Sequence, residues 1–195
     1  MTEILAKGPR LDLIPYDDAY ADLRFEWFYS PQYQAYFRSD LEYMPSPESF
    51  QNMAEKIKIS GQTLLVLRDL KTGQGVGLMN YALHKPLARV YRFGVMLDQS
   101  HQGAGMCIEA CILLCEVMFQ KLGATKIVCD VWDRDVHLNA IILRGGYTLE
   151  SSAKNEVFLN GEFSNENRYI MFREDYFRML QGYQETGVWN RHGLV

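Results

Sequence analysis

The chain has 195 residues, of which 48% are hydrophobic and 13% aromatic, and its formal net charge is −4. This amount of apolar material fits one packed domain rather than two, which we place at residues 1–182, with a C-terminal tail at residues 183–195. The acidic balance gives no basic patch for nucleic acid. The N-terminus lacks a secretory signal pattern and no apolar run is long enough for a membrane span, so the sequence predicts a cytoplasmic protein without nucleic-acid or membrane partners.

The four cysteines stand at positions 107, 111, 115 and 129. The first three recur every four residues, which places them along one side of a helix. This spacing suits neither a disulfide nor a Cys-x-x-Cys zinc site. We therefore predict buried thiols that act as small hydrophobic side chains, and no metal.

The first third of the chain predicts one strand followed by three helices. Residues 10–15 alternate between apolar and polar side chains and stop at a proline, as an edge strand does. Residues 17–28 begin with two aspartates that can cap a helix. Proline-containing starts predict two further helices, at residues 31–37 and 46–59.

The middle of the chain predicts three strands joined by short turns. Residues 62–69, 75–84 and 90–97 are rich in β-branched and aromatic side chains, and the short connections imply an antiparallel meander. A long apolar helix then runs to residue 122, where Gly123 serves as its C-terminal cap.

The remaining elements complete a mixed sheet. Residues 125–132 form a strand that lies one helix after residues 90–97, so the two should be parallel through a right-handed crossover. A helix at residues 135–143 and strands at residues 147–151 and 168–172 follow. The predicted fold is α/β: a single-domain mixed, mostly antiparallel sheet of about six or seven strands with helices on both faces.

A glycine-bearing loop connects the strand at residues 90–97 to the long helix. The first turn of a helix has backbone N–H groups without intrahelical partners, and together with the helix dipole they attract phosphate. Gly103 and Gly105 lack a Cβ, so a pyrophosphate could approach the amides of residues 103–107 closely. Gln102 could either hold the loop in shape or donate to the phosphate.

Two well-known phosphate loops do not fit this pattern. A Rossmann fingerprint needs a third glycine where Ile108 stands, and a Walker loop needs a lysine that this loop lacks. Glycines that serve turn geometry alone remain an alternative.

The loop fits the pattern Gln/Arg-x-x-Gly-x-Gly/Ala, with Gln102, Gly105 and Cys107 at the defining positions. It resembles motif A of the GNAT N-acetyltransferase superfamily, whose loop binds the pyrophosphate of acetyl-coenzyme A. Glu109-Ala110 resembles the branch of the ribosomal-protein alanine acetyltransferases. The resemblance implies a splayed strand that diverges at Val95, and these cofactor-binding residues: Val95, Met96, Leu97, Gln102, Gly103, Ala104, Gly105, Met106, Cys107 and Asp135.

The second half of the chain matches the family's motif B in part. Asp135 occupies the asparagine position, and Gly146-Tyr147 fits the closing Gly-Phe. Ile142 stands where many relatives carry a tyrosine that protonates the leaving thiolate. The resemblance covers residues 11–176.

The resemblance implies transfer of an acetyl group from acetyl-coenzyme A to a primary amine by direct attack in a ternary complex. The acceptor would be a small amine, such as a polyamine or amino-sugar, or a peptide N-terminus, and assembly as a homodimer is compatible with the sequence. A non-catalytic acyl-coenzyme A-binding module is the alternative, because Ile142 cannot donate a proton.

Several side chains could supply the acid and base that amine attack on a thioester uses. His84 titrates near neutrality and is the first candidate base, although it could equally be a surface histidine beside Lys85-Pro86. In the resembled family, the helices at residues 17–37 overhang the acceptor cleft, so that Glu26, Tyr33 or Tyr36 could face substrate. The candidate bases are His84, Glu26 and His137, and the candidate acids are Tyr91 and Tyr147.

Overall fold

The computed structural model describes residues 3–29, 61–102, 105–159 and 161–186. The helices predicted at residues 31–37 and 46–59, with Tyr33 and Tyr36, lie outside the described residues. No helix within the described residues is long and apolar enough to cross a membrane.

One eight-stranded sheet organises the chain, in the order β1-β2-β3-β4-β5-β6-β8-β7. Its strands are β1 (Ala6–Lys7), β2 (Leu11–Pro15), β3 (Gln62–Asp69), β4 (Gly75–Lys85), β5 (Val90–Leu97), β6 (Lys126–Trp132), β7 (Thr148–Leu159) and β8 (Glu162–Phe172). The pair β5 and β6 is parallel and the other neighbours are antiparallel. The mixed, mostly antiparallel sheet is thus confirmed, and the two-residue strand β1 accounts for the strand that the prediction missed.

The α-helices of the described residues are α1 (Ala21–Phe28), α2 (Met106–Glu116), α3 (Val136–Arg144) and α4 (Arg173–Thr186). A π-helical turn, Val117–Lys121, continues α2, and short 3-10 helices lie at Asp18–Tyr20, Pro86–Ala88 and Gln99–His101. Helix α4 was not predicted. It continues through Thr186, into the segment at residues 183–195 that the sequence analysis assigned to a tail.

Helices cover both faces of the sheet. The main core lies between α2, α4 and one face, where Leu114 and Met118 of the α2 segment and Tyr176 of α4 pack with Phe93 and Ile127 of the central strands. On the other face, Tyr20 and Trp27 cover a smaller cluster formed by three buried strand residues, Ile14, Val66 and Leu78. The prediction of helices on both faces is confirmed.

A fork opens between the two parallel strands. Strand β5 pairs with β4 as far as Leu97, but it pairs with β6 only from Val90 to Arg92. Strand β6 continues to Trp132 along β8. Since each strand is held by its outer neighbour, β5 and β6 separate beyond Arg92, earlier than the predicted point at Val95.

A buried carboxylate fixes α2 against the sheet. The side chain of Glu109 accepts hydrogen bonds at Oε1 from the backbone N–H groups of Arg10 (2.8 Å) and Leu11 (3.0 Å), and at Oε2 from Arg10 Nε (2.7 Å). A Cβ on Gly8 would lie 2.5 Å from Glu109 Oε1, so glycine there permits this approach. The contact joins the first turn of α2 to the start of β2.

The substitution Glu109→Gln should destabilise the fold, because an amide offers one accepting oxygen instead of two and removes the charge. Hydrogen bonds to charged groups contribute about 1.5–3 kcal/mol each, so we expect the free energy of unfolding to fall by about 2 kcal/mol or more. Urea denaturation measures it. Glu116→Gln, at the last residue of α2, makes the same charge change and should cost under about 0.5 kcal/mol; equal losses in both variants would contradict the role of the contact.

Candidate functional site

The loop before α2 is held in place by its own side chains. Gln102 Nε2 donates to the carbonyl of Leu97 (3.0 Å), and Asp98 accepts from the backbone N–H of Ser100 (3.2 Å). Of the two roles left open for Gln102, the structure therefore shows the shaping of the loop. Gly103 and Ala104 lie outside the described residues.

Gly105 begins α2 in a conformation that favours glycine. Its φ is 75°, in the left-handed region, where a Cβ causes strain. As the N-cap residue it has no side chain to accept from the N–H groups of the first turn. These donors, beginning at Met106 and Cys107, thus point their partial positive charge at the loop.

Asp135 caps the start of α3. It is the N-cap residue of α3, where Oδ1 accepts from the backbone N–H of Leu138 (2.9 Å). Its Oδ2 is buried and has no hydrogen-bond partner among the described residues. A hydrogen bond with Cys111 lowers the pKa of the Cys107 thiol, against burial and the charge of Asp135.

The cysteines of α2 follow the predicted pattern only in part. Cys111, Cys115 and Cys129 are buried, whereas Cys107 is half-buried. Burial raises the pKa of Cys115 and Cys129 to about 12, so both are neutral thiols at physiological pH.

The three predicted residues of strand β5 lie beyond the fork. Val95 packs against the main core and Met96 against the smaller cluster on the opposite face, as alternating strand residues do. Leu97 is buried, and its carbonyl is occupied by Gln102.

A charged cluster spans the fork on the face opposite α2. Asp130 on β6, with a side chain only 8% exposed, pairs with Arg168 Nε of β8 at 2.7 Å and with Arg92 of β5. Phe93 and Cys129 belong to the main core, so their neighbours Arg92 and Asp130 point to the other face. We call these three residues the fork cluster.

His84 lies at the fork cluster. Its side chain is exposed near the end of β4. Partial burial of the ring, and then the positive charges of Arg92 and Arg168, lower the pKa of His84 from the ordinary 6.5. The negative charge of Asp130 acts in the opposite direction. The lowered pKa favours the neutral imidazole, which is the form that a base needs.

The other catalytic candidates are not gathered at this point. Glu26 is exposed on α1, and His137 is exposed on α3. Tyr91 packs against the main core with its ring centroid 6.2 Å from that of Tyr81, so it lies on the opposite face from the fork cluster. Tyr147 is fully buried, and its hydroxyl lies 3.2 Å from Cys115 Sγ.

Sequence reasoning missed Glu166, which lies near the fork cluster. This half-buried residue stands on β8 opposite Trp132, and burial and the charge of Asp130 raise its pKa. No local sequence pattern could have indicated Glu166, because its position near Asp130 depends on the pairing register of β6 and β8.

Comparisons with known proteins identify the family to which the chain belongs. The sequence profile of the family described as "Acetyltransferase (GNAT) domain" matches residues 10–148. Ribosomal-protein-serine acetyltransferase of Escherichia coli (strain K12) is 28% identical over 99 residues, which are 51% of this chain and 55% of that protein. Spermidine N(1)-acetyltransferase of the same strain is 24% identical over 104 residues, which are 53% of this chain and 56% of that protein. The chain spans about half the length of the curated relatives it matches.

Solved structures share the fold. Spermidine N-acetyltransferase from Vibrio cholerae, in complex with CoA and spermine, superposes with a TM-score of 0.79 at 17% identity, over 87% of this chain and 99% of that one. RimL, a ribosomal L7/L12 alpha-N-protein acetyltransferase, gives 0.73 at 18% identity, over 88% and 95%. The profile match over most of the chain, together with this fold, shows that the protein belongs to the GNAT acetyltransferase family.

Proposed function

We propose that this protein transfers an acetyl group from acetyl-coenzyme A to a primary amine. The observation that carries the proposal is the fork between β5 and β6, with the start of α2 and its uncapped N–H groups lying after the diverging end of β5. The family supports the same activity. The relatives act, by their names, on a ribosomal protein and on spermidine, so a peptide N-terminus and a small amine are the acceptor classes we propose.

Residues from both motifs would hold the cofactor. The first-turn N–H groups of α2 would bind the pyrophosphate, since Gly105 leaves them accessible. The buried Oδ2 of Asp135 is an unused acceptor and fits an amide N–H of the pantetheine arm. Beyond Arg92, the edge of β5 that faces β6 is not paired with it and can accompany the same arm.

His84 would act as the base. The acceptor amine attacks the thioester carbonyl, the C–S bond breaks and coenzyme A leaves as thiolate, while the amine loses one proton. His84 takes that proton, directly or through water. Ile142 is buried in the core and donates none. A thiol with a pKa of about 8.5 is a good enough leaving group to depart without an acid.

The competing function is a binding module that retains the cofactor loop without the chemistry. Two observations favour it: Ile142 replaces the tyrosine of motif B, and the hydroxyl of Tyr147 is buried against Cys115. Both an enzyme and a binding module would bind coenzyme A, so only a measurement of turnover distinguishes the two functions.

Gly105→Glu should weaken binding of coenzyme A, because a carboxylate at the start of α2 repels the pyrophosphate. The φ of 75° strains any other residue, so Gly105→Gln is the matched control, with the same size and the same strain but no charge. Calorimetry should show a dissociation constant raised at least about 10-fold more by glutamate than by glutamine, as one unfavourable charge contact costs about 1.4 kcal/mol or more. Equal affinities of the Gly105→Glu and Gly105→Gln variants for coenzyme A would contradict the proposed pyrophosphate site.

His84→Ala should lower kcat/KM about 10²–10⁴-fold while the affinity for coenzyme A stays unchanged, since the base acts only on the amine. Release of free coenzyme A is measured with an N-terminal peptide, spermidine and an amino-sugar as acceptors. In the wild type, kcat/KM should fall on acidification through a pKa below 6.5, because burial and Arg92 lower the pKa of His84.

His137→Ala, which removes an exposed histidine on α3, should retain wild-type turnover. Full activity in His84→Ala would move the base elsewhere, with Glu26 as the next residue to change. Absence of turnover by the wild type with every amine, despite tight binding of coenzyme A, would favour the binding module.

Arg92→Gln should raise the pKa of His84 toward 6.5. The substitution removes a positive charge that lowers this pKa, and it leaves more of the negative charge of Asp130 uncompensated, which acts in the same direction. NMR titration of the histidine ring signals measures the shift. Arg178→Gln, on the exposed side of α4, is the control and should leave the titration unchanged; an unshifted His84 in Arg92→Gln would show that the fork cluster does not act on it.

A further inference from the structure

His101 joins the start of the cofactor loop to the turn between β3 and β4. It ends the 3-10 helix Gln99–His101 and directly precedes Gln102. Its Nε2 lies 3.9 Å from Oδ2 of Asp69, which is the last residue of β3. The other side-chain hydrogen bonds of residues 98–102, as far as the structure describes the chain, stay within the loop or end on β5. His101 is therefore the side chain that ties this loop to a second part of the sheet.

The two ring nitrogens of His101 face different acceptors. Nδ1 lies 3.2 Å from Asp98 Oδ2 and 2.9 Å from Ser100 Oγ. The Ser100 hydroxyl donates to the same Asp98 oxygen, so both groups accept from Nδ1, which must carry a proton. Nε2 faces the carboxylate of Asp69. A neutral imidazole has one N–H and the imidazolium has two, so only the imidazolium can present a proton to Asp98 and Asp69 together.

Both carboxylates are ionised at neutral pH. A backbone hydrogen bond from Thr72 is the main cause that lowers the pKa of Asp69, and the charge of His101 acts in the same direction. Burial raises the pKa of Asp98, but hydrogen bonds from Ser100 and His101 outweigh burial, so that this pKa is lowered as well. The side chain of His101 is 25% exposed and that of Asp69 10%, which leaves their attraction only partly screened by solvent.

The other charged side chains near Asp69 have their own surroundings. Lys71 is exposed in the turn between β3 and β4. Arg68 pairs with Asp12, and Arg10 pairs with Glu109. The carboxylates that face His101 are thus Asp98 on its own turn and Asp69 on β3.

We propose that His101 positions the cofactor loop, as an imidazolium that bridges Asp98 and Asp69. The bridge is complete at acidic pH, and its arm to Asp69 is lost as the pH rises and Nε2 loses its proton. Affinity for coenzyme A should therefore decline over the range in which histidine titrates. This inference rests on the cofactor half of the proposed function. His101 is a positioning residue in this role, since it acts on the ligand through the loop.

The competing role for His101 is local support of the turn Gln99–His101, through the hydrogen bonds of Nδ1 alone. These bonds are available to the neutral and to the charged ring. Loss of such support should weaken binding by the same factor at every pH, whereas loss of the bridge should remove the pH dependence itself.

The experiment is calorimetric titration of dephospho-coenzyme A into the wild type at several pH values between about 5.5 and 8, where a histidine ordinarily changes its charge. This ligand lacks the 3′-phosphate, a monoester that itself titrates near about pH 6. For the wild type we expect the affinity to fall about 2- to 5-fold as the pH rises, which is the size that one partly exposed ion pair allows.

Two variants remove the bridge in different ways. His101→Gln offers an amide N–H that does not titrate, so its affinity should be the same at every pH. Asp69→Asn keeps Oδ1 for the backbone N–H groups of Lys71 (2.7 Å) and Thr72 (2.9 Å) and turns an amide NH₂ toward Nε2, which disfavours the imidazolium. The affinity of this variant should not fall as the pH rises. Asp175→Asn makes the same change on α4 and should follow the wild type.

Each outcome decides the proposal. Profiles of the wild type and His101→Gln that decline in parallel overturn it in favour of local support, and a flat wild-type profile overturns it as well. A decline that persists in Asp69→Asn excludes Asp69 from the bridge and also overturns it. Should His101→Gln fail to fold, His101→Asn carries the same comparison, because its amide can take the place of Nδ1 beside Asp98. Failure of the wild type to bind at any pH would instead overturn the proposed function.

Discussion

The position of α2 depends on the carboxylate of Glu109. A buried charge is costly unless hydrogen bonds satisfy it, and here two backbone N–H groups and the Arg10 side chain do so. The consequence is geometric: the carboxylate lies on the first turn of α2, so satisfying it fixes the end of the helix that carries Gly105 and the uncapped N–H groups. A hydrophobic contact between α2 and the sheet would tolerate sliding, whereas this contact specifies one arrangement.

The fork follows from a second constraint, which is that β5 and β6 are each paired along their far edges. Strand β4 holds β5 to Leu97 and β8 holds β6 to Trp132, so the two central strands separate without losing the rest of their ladders. The salt bridge from Arg92 to Asp130 crosses the point of separation on one face, while α2 closes the other. On the proposed mechanism, cofactor and base therefore approach the reaction from opposite faces of the sheet.

Local signals in the sequence were enough for the central strands and the loop, because alternation and glycines act over short distances. The bounds of β3 and β5 are those predicted, and the loop glycine Gly105 has the positive φ that a tight helix start requires. Helix α4 escaped prediction because only a few of its residues, among them Tyr176 and Met179, are buried, and their burial depends on the assembled sheet. The fork cluster and the contact of Glu109 with Arg10 depend on register and packing between distant segments, which no short pattern encodes.

Ile142 replaces the tyrosine of motif B, and this replacement is consistent with the proposed mechanism if His84 accepts the proton of the amine and no acid protonates the thiolate. Ile142 and Tyr147 are both buried in the main core, so restoring a hydroxyl at residue 142 would bury an unsatisfied polar group rather than create an acid. Burial, and then the charges of Arg92 and Arg168, lower the pKa of His84, which favours the neutral imidazole that the proposed base needs. On the proposed mechanism, His84 protonated by the amine would also be a stronger acid than an ordinary imidazolium, so it would return its proton readily to solvent. The arginines that hold Asp130 at the fork would thereby reset the base between turnovers.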